Sequence, residues 1–127
     1  MIEFILDYME NNGLYAENEQ EQKGIEYGIA LYLEENGINL KENRPYFHRY
    51  ISSHLAIIDI PDLKAYFLNY PIIQQVHQIA IEQDQQGQLA PKRVQELYRL
   101  MTQLNHAGLG SKYVPAIEIK SILGKNS

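Results

Sequence analysis

The stretch "RPYFHRYISSH", residues 44–54, places three aromatic rings, two arginines and two imidazoles on about three helical turns. Imidazoles titrate near neutrality and ligate metals, so the segment invites a search for acid–base or metal chemistry. The chain has four histidines: His48, His54, His77 and His106. A helical metal motif needs two histidines, or a histidine and a carboxylate, at i and i+4. His48 and His54 are six apart, about 120° on the helical wheel. His77 has Ile73 and Ile81 at the required spacing, and His106 has Thr102 and Gly110. No pair fits, and no metal or cofactor is expected.

His54 falls within the apolar stripe Phe47, Ile51, Leu55 and Ile58. The spacing predicts a buried neutral imidazole bonded to a backbone group. The alternative is an enzyme or ligand site built from His54, Tyr50, Asp59 and Arg99. Tyr46, Tyr50 and Ile57 extend the apolar side and are expected at the edge of the core. His48 and Arg49 point away and remain for surface contact.

Nucleophiles are sparse. No serine sits in a G-x-S-x-G elbow or an S-x-x-K motif. "HAGLGSKY" resembles a shortened phosphate loop, but it lacks the gap between glycines that lets amides wrap a phosphate. A helix stop at Gly108 explains it more simply. Adjacent carboxylates such as Glu34-Glu35 diverge on a helix and do not converge on a substrate. With no cysteine in the chain, disulfides and thiolate chemistry are excluded.

Charge is unevenly distributed. The first 36 residues carry nine acids and one base, Lys23, for a net −8; the remainder carries ten bases and seven acids, net +3. An acidic surface opposes phosphate binding and favours a basic partner or plain solubility. The ten tyrosines exceed what the helical stripes need. Tyrosine buries area while keeping a polar tip, which suits interfaces. Tyr27 and Leu31 lie off the main stripe of their helix among acids. The candidate protein-binding residues are therefore Tyr15, Glu19, Glu26, Tyr27, Leu31, His48 and Arg49.

The elements that must position these residues are helical. "IEFILDYMEN" aligns Ile2, Ile5, Leu6 and Met9 and stops at Asn12-Gly13. "KGIEYGIALYLEENG" aligns Ile25, Ile29, Tyr32 and Leu33 and stops at Asn36-Gly37. Gly24 and Gly28, one turn apart, would let another helix approach closely. Asn43 and Pro45 predict the start of the next helix. Pro61 breaks it, Asp62 caps a short helix, and Pro71 restarts the chain. Two further helices end at Gly87 and Gly108. In the tail, Pro115 could open a last helix, whereas the alternation in "AIEIKSI" suits an edge strand.

The expectation is one all-α domain over residues 1–127, a compact bundle of five to seven short helices. The start carries Glu3 and Asp7 without a basic n-region, so a signal peptide is not expected and a cytoplasmic location is. No apolar run reaches membrane-spanning length. The function expected is a noncatalytic protein-binding module, most concretely an acidic inhibitor or immunity-type protein that masks a basic partner. A secretion or phage chaperone or adaptor is the alternative of the same class. A helix-turn-helix nucleic-acid binder would use Lys92, Arg93, Arg99 and Lys112, but its turn "DQQGQLAP" is long for that motif. A homodimer would bury Leu31, Ile81 and Leu100, which lie off their stripes.

Overall fold

The computed structural model describes residues 1–39, 41 and 44–114. Among them are six α-helices, one 3₁₀ turn and no strand. In chain order they are α1 (Ile2–Asn11), α2 (Glu19–Glu35), α3 (Pro45–Leu55), the 3₁₀ turn Ile60–Asp62, α4 (Leu63–Leu68), α5 (Tyr70–Gln86) and α6 (Pro91–His106). The all-α expectation is met. The tail, where helix and edge strand were both open, lies outside the described residues.

Local chemistry explains the boundaries. Helix α2 starts at an extended Asn18 whose side chain accepts the Glu21 amide at 2.8 Å. The Glu21 carboxylate in turn accepts the Glu17 amide at 3.1 Å, so two otherwise orphaned donors are satisfied. Helices α3 and α6 carry proline in the first turn. Proline forces the residue before it into extended backbone, so the cap position of α3 falls on Arg44 and not on Asn43, which lies outside the described residues. At the other ends, Asn12, Asn36 and Asn69 each donate a side-chain amide to the carbonyl four residues back. Gly13 and Gly37 then turn left-handed, at φ 77° and 70°. That conformation returns the Leu14 amide to the Met9 carbonyl and the Ile38 amide to the Leu33 carbonyl.

The described residues fall into two compact units, Met1–Tyr70 and the chain from Pro71 onward. In the first, α2 buries Ile25, Ile29, Tyr32 and Leu33, α1 buries Ile5 and Met9, and α3 buries Ile51 and Leu55. Helix α4 adds Leu63, Tyr66 and Phe67. The close approach expected at the paired glycines occurs here, between α2 and α4. A Cβ on Gly28 would stand 1.8 Å from the Phe67 carbonyl oxygen, and one on Gly24 would meet only the end of Leu68 at 3.0 Å. Lys64 of α4 pairs with Glu21, and its ammonium, with the Glu17 amide, holds the Glu21 carboxyl below the ordinary range.

Tyrosines complete this core. The Tyr32 ring meets Phe67, Tyr70 and Tyr66 edge-on at 5.5, 5.6 and 6.2 Å. The Tyr70 hydroxyl donates to the Glu35 carboxylate. Burial pushes the Tyr32 phenol up to about 12, with the nearby Tyr50 adding to the shift. Tyr70 is pushed further in the same direction, first by burial and then because its hydrogen bond to Glu35 disfavours the phenolate.

In the second unit, α5 buries Ile73, Val76, Ile79 and Ala80, and α6 buries Val94, Leu97, Leu100 and Leu104. Leu100 is therefore core, not a spare residue for a dimer: it lies one turn before Leu104 and one turn after Leu97 on the buried stripe. Ile81 is exposed and Leu31 half-buried. Arg93 of α6 binds Glu82 of α5 through two nitrogens at 2.7 and 3.0 Å and Glu96 at 2.6 Å. The paired Arg93 holds the Glu82 carboxyl below its ordinary value of 4.5.

Because these side chains remain about a third exposed, Arg93→Ala is expected to cost only about 1 kcal/mol at neutral pH by urea unfolding. A depressed carboxyl contributes stability above its unfolded value, and that contribution vanishes as the pH falls through the folded value. The stabilities of Arg93→Ala and wild type should thus converge in acid. A constant gap down to pH 3, measured by the same unfolding curves, would mean that the guanidinium stem and not its charge matters here.

Candidate functional site

An α-helix that contributes one stripe to a core leaves its other face to solvent. On α2 that outer face gathers residues 19, 23, 26, 27, 30, 31 and 34 within an arc of about 140°. Glu19, Lys23, Tyr27 and Glu34 on it are exposed, and Glu26 and Leu31 are half-buried. Tyr27 is 60% exposed and Tyr15, in the loop before α2, 62%, which is unusual for large aromatic side chains. Lys23 pairs loosely with Glu19 at 3.6 Å, and neither Glu26 nor Glu34 forms an ion pair among the described residues. Glu26 accepts a hydrogen bond from Gln22 at 3.2 Å, which orients it along the helix. Four of the seven expected binding residues thus share one helix face, with Tyr15 just before that helix.

His48 and Arg49 do not join them. His48 is half-buried and stacks on Phe4 of α1, ring centroids 4.3 Å apart and planes within 3°. Its expected outward position fails because Phe4, off the buried stripe of α1, supplies an apolar surface for the imidazole. Arg49 is exposed on α3, one turn before Ser53, whose hydroxyl bonds its carbonyl.

His54 is half-buried, not buried, and lies against the Tyr50 ring at 4.4 Å. Tyr46 and Ile57, expected at the core edge, are 67% and 76% exposed. Tyr46, Arg49 and Tyr50 thus make an exposed aromatic-basic surface on α3, and Ile57 is exposed in the turn that follows it. The i, i+4 spacing of Tyr46 and Tyr50 was the available signal for this surface; it was absorbed into an overly broad apolar face.

Among the described residues, no group of three or more histidines, cysteines or acids could hold a metal ion. No described helix is long and apolar enough to cross a membrane. The arrangement on α2 offers ring faces, phenol tips and carboxylates to an incoming surface. It offers no nucleophile with a base beside it. Comparison of the chain with family models, curated proteins and solved structures returned no match.

Proposed function

We propose that this chain is a noncatalytic protein-binding module whose α2 outer face docks on a basic surface of another protein. What supports the reading is Tyr27, an aromatic ring 60% exposed among carboxylates on a helix whose other face is fully used by the core. Tyrosine supplies the buried area of an interface, and the acids speed encounter and select a cationic partner. An inhibitor or immunity-type protein covering a basic functional surface is the most concrete form of this reading.

The test is affinity capture from the native host at low and high salt, with wild type and Tyr27→Ala/Glu26→Lys as baits. One stoichiometric basic protein should be retained by wild type and released by salt. The double variant should weaken it about tenfold or more, as loss of an aromatic anchor with a charge reversal does. Equal retention by both baits would remove α2 from the interface.

A further inference from the structure

Apart from the α2 face, the first unit carries a cleft of about 470 Å³ whose described lining includes the N-terminal residue Met1 with Glu3, Phe4, Asp7, Lys41 and His48. That volume suits a small ligand or a single inserted side chain. Its chemistry is unusual for a surface dent. Glu3 and Asp7 stand one turn apart on α1, where like charges repel, and both are exposed. Neither forms an ion pair among the described residues. Lys41 lines the same cleft but stays beyond ion-pair distance of both acids. Phe4 and His48, stacked on each other, line the same cleft.

We propose that this cleft binds a guanidinium group. Two carboxylates one turn apart accept its forked N–H donors, and its flat, weakly hydrated face suits the aromatic stack. An ammonium has no flat face and is held more tightly by water. Lys41, held apart from the acids, is placed to take a carboxylate when the ligand is free arginine. The site uses no residue of α2, so it stands or falls independently of the docking face.

The full chain is titrated with L-arginine, N-acetyl-arginine amide and citrulline, in which a neutral urea replaces the guanidinium. Calorimetry and amide NMR are the readouts. Arginine is expected to bind with Kd on the order of 1 mM and to shift the amides of residues 2–8, 41 and 46–50. Citrulline should leave them unmoved. Glu3→Gln with Asp7→Asn should weaken arginine about tenfold or more, because both charged acceptors are lost. Because it also relieves a repulsive pair, its circular dichroism should stay unchanged. Equal binding of the capped and free forms assigns the site to an arginine side chain on another protein. Binding of the free form alone assigns it to the amino acid, with Lys41 on its carboxylate, and Lys41→Met should then abolish the difference. Equal shifts with citrulline, or unchanged arginine binding by the double variant, overturn the proposal.

Discussion

Gly28→Ala is expected to be the most damaging single-methyl change in this protein, costing about 3 kcal/mol or more. The reason is geometric. The added Cβ would sit 1.8 Å from the Phe67 carbonyl oxygen, a backbone atom that cannot rotate aside. Helix α4 must shift bodily, and its Leu63, Tyr66 and Phe67 are all buried. Gly24→Ala provides the internal control. There the clash is with the tip of the Leu68 side chain at 3.0 Å, which has rotamer freedom. Alanine also gains about 1 kcal/mol of helix propensity over glycine at either site, so Gly24→Ala should be near neutral. Thermal unfolding of the two variants should therefore differ by on the order of 10 °C or more. Equal melting temperatures would show that α2 and α4 do not cross at Gly28.

The same pair of glycines shows what could be read in advance. Their i, i+4 spacing marks a helix surface without side chains, and only close packing or a turn rewards that loss of propensity. Helix stops were equally legible, because Asn12-Gly13 and Asn36-Gly37 carry their own backbone chemistry. What escaped was pairing between distant segments. Nothing in "PKRVQEL" says that Arg93 will reach across to Glu82, since that depends on how two helices meet. His48 followed its wheel position until Phe4, forty-four residues earlier, offered a ring to stack on. The tyrosines divided in a way composition cannot show. Tyr32, Tyr66 and Tyr70 entered the core, whereas Tyr15, Tyr27 and Tyr46 stayed in solvent. On the candidate face, the exposure of Tyr27 was readable because acids flank it and its stripe position is taken by Ile25 and Ile29. The cleft was not, because its walls come from α1, α3 and the segment between α2 and α3.

The buried tyrosines make alkaline pH the condition most selective for the first unit. An unfolded tyrosine releases its proton near pH 10.0, whereas folded Tyr32 retains it to about 12 and Tyr70 beyond that. Across this window the unfolded state binds fewer protons than the native state, so stability must fall as pH rises. Each retained proton contributes a slope of about 1.4 kcal/mol per pH unit, and two give about 2.7. Below pH 10 this contribution is constant and stability is unaffected by it. Urea unfolding followed by far-UV circular dichroism from pH 7 to about 11.5 should thus show a plateau and then a steep decline. Tyr32→Phe keeps the ring packing and should halve the slope while barely moving the plateau. Tyr70→Phe also removes the bond to Glu35, so it should lower the plateau and flatten the alkaline limb. Lys64→Met, which removes the ion pair to Glu21, should lower the plateau and leave the tyrosine slope intact. If Tyr32→Phe runs parallel to wild type above pH 10, Tyr32 titrates alike in both states, and its ring is in water and not wedged between α4 and the start of α5.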